Sequence, residues 1–317
     1  MRPRPGRVKG SLSDTGDKMT GAACYAMPQS GEAGMPGPMQ DKVVVITGGT
    51  SGIGQVAAER LAGMGARIVL VARDRARTEA TLAKLKAANG AAGHTAHHAD
   101  LSLMGETKRV TAAIAAAEPR IDVLINNAGA MFTSRRETAE GLEMTFALNH
   151  MSYWLMAHGL RERLLASAPA RVVNTASGAH RGNRLDLDDL QSTKGYSGFT
   201  VYGRSKLANI LFTRALARRG AAAGVTANCL HPGFVATRFG DQAGGATSLV
   251  IRVAKLFAIS QDKGAETIVH LAAAPEVAKV TGGYFYQSRP DVPTAEAEDD
   301  AVGEKLWEAT KALAGVA

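Results

Sequence analysis

Short β-branched runs alternate along this chain with longer segments rich in Ala and Leu. Val43–Thr47 is apolar at four consecutive positions, the pattern of a strand buried on both faces. Similar runs at 67–71, 94–98, 121–125, 171–176, 225–230 and 284–286 predict further strands, the one at 94–98 being the weakest. Between them, apolar residues recur at helical spacing and predict helices near 52–64, 74–88, 103–117, 138–166, 199–218 and 262–274. Repeated β-α alternation calls for one parallel, doubly wound sheet with helices on both faces. Such a sheet binds its ligand at the carboxyl ends of the strands.

Residues 1–39 lack this periodicity and are rich in Gly, Pro, Ser and Met, so they are expected to form a disordered tail. They contain no apolar core of a secretory signal, and Met39, just before the first strand, is a candidate start. Residues 40–317 show no composition break and read as one α/β domain. The stretches 145–160 and 221–237 carry no Asp, Glu, Lys or Arg, but Asn149, Asn228, His231 and Pro232 interrupt them. No membrane span is therefore expected. Two cysteines make neither a disulfide framework nor a metal cluster, which points to a reducing, cytoplasmic setting. The formal charge of +8 suits an anionic partner without choosing among a phosphorylated cofactor, a membrane surface and nucleic acid. With 5% aromatic residues and no recognisable reading element, a nucleic-acid partner is not expected.

The candidate chemistry begins at Thr47-Gly48-Gly49-Thr50-Ser51-Gly52-Ile53-Gly54, between the first strand and the first helix. Glycines permit close backbone approach, and a helix N-terminus offers unpaired N–H groups to a phosphate. In this strand–turn–helix context the segment reads as the dinucleotide turn of a Rossmann-type fold. The second strand ends at Val71-Ala72-Arg73-Asp74. An NAD site wants a carboxylate there for the ribose 2′-hydroxyl, whereas Arg73 suits a 2′-phosphate, which favours NADP(H) over NAD(H). A two-residue shift would instead make Asp74 the ribose carboxylate.

Tyr202 and Lys206 stand four apart on a predicted helix, so their side chains share a face. A neighbouring ammonium favours phenolate, and the pair is expected to bring Tyr202 toward neutral pH as a general acid/base.

Taken in order and spacing, the Thr47–Gly54 turn, Asn126-Asn127-Ala128-Gly129 and Tyr202-x-x-x-Lys206 resemble the short-chain dehydrogenase/reductase family over about residues 40–314. The resemblance implies an oxidoreductase that interconverts an alcohol and a carbonyl compound. It implies that Asn149, Ser177, Tyr202 and Lys206 are catalytic, with Asn149 holding a relay water and Ser177 bonding the substrate oxygen. It further implies cofactor contacts from Gly48, Thr50, Ser51, Gly52, Ile53, Gly54, Arg73, Asp100, Leu101, Asn127, Ala128, Gly129, Tyr202, Lys206, Pro232, Gly233, Val235 and Thr237. A homodimer or homotetramer is in keeping with the family. Ser177 and Tyr202 are 25 positions apart, about twice the usual gap. That insert, with Ser205-Lys206-Leu207-Ala208-Asn209 and His231-Pro232-Gly233, is similar to the retinol-dehydrogenase-like branch.

The apolar segment 249–257 falls where the family places a substrate lid, and reads equally as a packed amphipathic helix. His94, His97 and His98 have no acidic or thiol partners in the pattern and are expected to be structural or exposed, with no metal. Cys229 lies in a predicted buried strand and is expected to be an inert core thiol. A non-catalytic NADP sensor on the same fold is the alternative function, and the intact set of proton-handling residues speaks against it.

Overall fold

The seven apolar runs become seven parallel strands. A computed structural model describes residues 37–233 and 260–316, all within one unit spanning 36–317. The strands are β1 (Val43–Thr47), β2 (Arg67–Ala72), β3 (Thr95–His98), β4 (Val123–Asn126), β5 (Ala170–Thr175), β6 (Val225–Leu230) and β7 (Tyr284–Tyr286), with a two-residue antiparallel edge, β8 (Arg289–Pro290). Their order across the sheet is β3-β2-β1-β4-β5-β6-β7-β8. The chain winds outward from β1 through β2 and β3, then crosses to β4 and winds the other way. The connections therefore part between β1 and β4, and the carboxyl ends there border a crevice.

The uninterrupted apolar runs follow from burial on both faces. In β1, Val43 and Val45 join the core beneath α3 (Met104–Ala117), α5 (Ser152–Gly159) and α7 (Gly198–Gly220). Val44 and Ile46 point the other way, into the core under α1 (Gly52–Gly63), α2 (Arg75–Ala88) and the helix Gln261–Ala273. Met39, at the end of the expected tail, is itself in that second core at 4% exposure. Among the described residues no helix is long and apolar enough to cross a membrane.

Three expectations need correction. The helix expected over 138–166 starts only at α4 (Met144–Phe146), widens into a π turn at Ala147–Met151, continues as α5 and resumes as α6 (Arg161–Ala166). Gly141 adopts a left-handed φ of 77°, and the fully buried carboxylate of Glu143 caps the N–H groups of Thr145 and Phe146, so the helix cannot extend further back. His94 lies outside β3; it accepts from Ile68 N through Nδ1 and donates from Nε2 to Asn89 O, a structural role. Finally, a C-terminal helix, Asp300–Leu313, was not expected from the pattern. Its apolar face is thin, and it is held largely by α7. Trp307 stacks on Phe212 with centroids 5.8 Å apart and lies 4.1 Å under the Arg219 guanidinium, while Arg214 and Arg218 pair with Asp300.

Candidate active site

The crevice is closed at its base by β1 and the loop after β4. Thr47 Oγ1 accepts from Asn127 N at 2.9 Å and Ala128 N at 3.1 Å, and the Asn127 amide reaches back to Gly48 O at 3.3 Å. Two glycines make that fit. Gly48 has φ +66°, and a Cβ there would stand 2.9 Å from Ala128 Cα. A Cβ on Gly54 would overlap Asn127 Nδ2 and stand 2.5 Å from Gly48 O. Ser51, the N-cap of α1, makes no side-chain cap bond among the described residues, so Gly52, Ile53 and Gly54 begin a helix without that acceptor. A glycine cradle at an uncapped helix start fits the pyrophosphate of a dinucleotide.

At the adenosine end, β2 stops at Ala72 and Arg73 follows it, 74% exposed, with Nη1 3.3 Å from Asp100 Oδ2. Asp100 is oriented by Ser102, whose N–H and hydroxyl both donate to Oδ1, and Leu101 is buried. Asp74 is committed elsewhere: it caps α2 by accepting from Arg77 N at 2.9 Å, and that bond holds its carboxyl below the usual range. The Asp74 carboxylate thus already has a task in holding the start of α2.

The four reacting candidates converge from three elements. Ser177 follows β5 in extended backbone, its Oγ accepts from Ala179 N, and it hydrogen-bonds Tyr202. Lys206, one turn beyond Tyr202 on α7, is 3% exposed; its Nζ donates to Thr175 O at 2.9 Å and lies 5.6 Å from the centroids of both Tyr202 and Tyr153. Asn149 sits in the π turn, accepting from Ala130 N and donating to Ala130 O and to Ser205 Oγ, at 2.9, 2.9 and 3.0 Å. Gly129 lies between the two: a Cβ there would be 3.1 Å from Asn149 Oδ1 and 3.4 Å from Lys206 Nζ.

Burial acts on both members of the Tyr–Lys pair. It pushes the Tyr202 phenol up to about 12, against a smaller lowering by the Ser177 hydrogen bond, and pulls Lys206 down to about 7. Burial disfavours the charged form of each group, so it opposes the lowering of Tyr202 that pairing with Lys206 is expected to bring.

Sequence reasoning missed several supporting residues. Thr47 and Thr175 act through single hydroxyl or carbonyl groups, and Ser205 bridges Asn149 to Tyr202 O at 2.7 Å. Neither periodicity nor charge marks such residues. The long insert docks beside Tyr202, since a Cβ on Gly203 would overlap Asn183 Nδ2, and Tyr196 of the insert donates to Phe132 O at 3.0 Å. Pro232 and Gly233 follow β6, where His231 stacks on Tyr286 at 4.1 Å. Val235, Thr237 and the segment 249–257 lie outside the described residues. Cys229 is fully buried, and burial pushes its thiol up to about 12, as befits an unreactive core residue.

His150, next to Asn149, gives the fold an acid limit. Burial pulls its imidazole down to about 4 from 6.5. The unfolded chain takes up a proton that the folded chain refuses, so stability present above about pH 6.5 drains as the pH falls toward 4, by on the order of 3 kcal/mol. Urea unfolding should show a lower midpoint at pH 5 than at pH 7.5; equal midpoints would contradict this account of His150.

Comparison with known proteins shows the family of the chain. The profile of a family described as short chain dehydrogenase matches residues 42–246. Human retinol dehydrogenase 13 is 36% identical, with 98% of this chain and 93% of that protein covered. A Streptomyces sp. (strain C5) protein named as a candidate daunorubicin C-13 ketoreductase is 40% identical, covering 89% of this chain and 94% of its own. Among solved structures, the Pseudomonas aeruginosa RhlG/NADP active-site complex superposes with a TM-score of 0.64 at 27% identity, covering 80% of this chain and 97% of that one.

Proposed function

Because this chain belongs to the short-chain dehydrogenase/reductase family, in its retinol-dehydrogenase-like branch, and is an oxidoreductase of the alcohol/carbonyl pair, we propose that it works with NADP(H) and uses Tyr202 as general acid/base. The observation that carries the reading is Tyr202 hydrogen-bonded to Ser177 one turn from the buried Lys206. When bound, the nicotinamide supplies the hydride for carbonyl reduction and accepts it in alcohol oxidation.

The chain's own groups do the rest. Gly48 to Gly54 and the start of α1 would hold the pyrophosphate, and Asp100 and Leu101 would border the adenine. Asn127, Ala128, Gly129, Pro232 and Gly233 would border the nicotinamide. Ser177 and Tyr202 donate hydrogen bonds to the carbonyl oxygen and stabilise its growing negative charge. Tyr202 then gives its phenol proton to that oxygen, completing the alcohol. Lys206, buried one turn along α7 with its Nζ 5.6 Å from the Tyr202 ring centroid, would supply the replacement proton. The names of the relatives point to a lipophilic aldehyde or ketone as the substrate class.

The test is turnover of NADPH and of NADH with a panel of aldehydes and ketones that includes retinal, followed by loss of reduced-nicotinamide absorbance. Turnover with NADPH is the expected result; cofactor binding without any turnover would leave the non-catalytic sensor. The cofactor preference has its own test in Arg73→Asp. A charge-assisted bond to the 2′-phosphate worth about 1.5–3 kcal/mol predicts that the NADPH-over-NADH ratio falls roughly 10- to 150-fold. An unchanged ratio would remove Arg73 from the phosphate site.

A further inference from the structure

Beneath the reacting groups lies a buried polar chain that the proposed mechanism does not use. Asn209, on α7, donates from Nδ2 to Asn149 O at 2.8 Å. Its Oδ1 therefore faces the other way, 3.4 Å from His150 Nδ1. A carbonyl oxygen only accepts, so Nδ1 carries the imidazole proton. Nε2 is then the bare nitrogen, and it accepts from the hydroxyl of Thr310, 2.9 Å away on the C-terminal helix Asp300–Leu313. Asn149, His150, Asn209 and Thr310 are each no more than 1% exposed. The Asn209 main chain is also anchored: its carbonyl accepts from Thr213 Oγ1 at 2.6 Å, and Thr213 accepts from Asn174 of β5 at 2.9 Å.

We propose that Asn209 is a positioning residue for Asn149, oriented for that task by His150 and, through it, by Thr310 of the C-terminal helix. The proposal deepens the reductase reading and rests on it.

The geometry gives the reason. Asn149 lies in the π turn Ala147–Met151, where the main chain is wider than in an α-helix and its groups are offset from the neighbouring turns. The Asn209 amide holds the Asn149 carbonyl from outside that turn. The Asn149 side chain in turn grips Ala130 and Ser205, and Ser205 donates to Tyr202 O. A rotation at residue 149 would therefore disturb the loop beside Lys206 and the turn of α7 that carries Tyr202. The task needs a donor and an acceptor on one short side chain. An amide has both, a carboxylate lacks the donor, and an alkyl group lacks both. Thr310 reaches the site from about a hundred residues beyond Asn209, which makes the C-terminal helix part of the reacting apparatus without touching it.

Substitutions at two positions separate positioning from plain stability. Asn209→Leu keeps the volume and removes both bonds; kcat should fall roughly 10- to 100-fold, with KM for the carbonyl and NADPH affinity within about twofold. Thr310→Val removes one distant hydroxyl; kcat should fall about threefold, and Thr310→Ser should recover most of it. If these variants lose only melting temperature and keep kcat, the network is structural and the proposal is overturned. If Asn209→Leu does not fold, the Thr310 pair decides alone. If the wild-type protein turns over no carbonyl compound, the reductase reading fails, and hydrogen exchange over residues 146–152 becomes the deciding readout. Faster exchange there in Thr310→Val than in Thr310→Ser, with no change at residues 48–54, supports the coupling; identical exchange overturns it.

Discussion

Tyr202→Phe is expected to retain NADPH binding and to lose carbonyl turnover by roughly 10²- to 10⁴-fold, the usual worth of a general acid. The substitution removes one oxygen. Tyr202 is buried at 9% exposure, so phenylalanine keeps the ring in place against α7 and the insert. What disappears is the phenol proton, which burial helps to retain, together with one of two hydrogen bonds to the substrate oxygen. Ser177 remains and can still polarise the carbonyl, which is why residual rather than zero turnover is expected. The measurement is kcat with NADPH and the best carbonyl substrate, beside fluorescence titration of NADPH. Turnover within threefold of wild type would remove Tyr202 from the proton-transfer step.

Gly54→Ala should be the most damaging single change at the cofactor end. Its Cβ would overlap the Asn127 amide and sit 2.5 Å from Gly48 O, and neither neighbour is the free end of a flexible side chain. Asn127 is tied to Gly48 O, and its main chain to Thr47, so pushing it away opens the junction between β1 and the loop after β4. Forced backbone rearrangement of this kind costs about 1–3 kcal/mol. If that cost falls on the bound geometry, NADPH affinity drops roughly 5- to 150-fold. Gly63, on the same helix, has open space where a Cβ would go, so Gly63→Ala is the control and should bind normally. Equal affinity in both variants would mean that the turn does not hold the pyrophosphate.

Much of this was legible before any coordinates. Apolar runs located all seven parallel strands to within a few residues, because a strand buried on both faces has to be apolar at successive positions. The glycine turn and the Tyr202–Lys206 spacing could be placed because each depends on its immediate neighbours. Legibility failed where one region depends on another. The helix at 138–166 looked continuous, since apolar spacing does not register a capping carboxylate at Glu143 or the wide turn at Asn149. The helix Asp300–Leu313 went unseen because its contacts with Phe212, Trp154 and the arginines of α7 come from other segments. The task of Asp74 at the start of α2 was unseen until its cap bond to Arg77 was visible.

By itself the sequence determined the doubly wound sheet, the glycine turn at residues 47–54 and the shared helix face of Tyr202 and Lys206. These follow from hydrophobic period, glycine placement and helical spacing, all local along the chain. Only the tertiary structure decided that burial favours the neutral forms of Tyr202 and Lys206, because desolvation depends on what the fold packs around each group. Only it brought Asn209 against Asn149 across 60 residues, and Thr310 against His150 across 160. A buried hydrogen bond leaves no mark on composition or period; it exists only once the two distant partners share a space from which water is excluded.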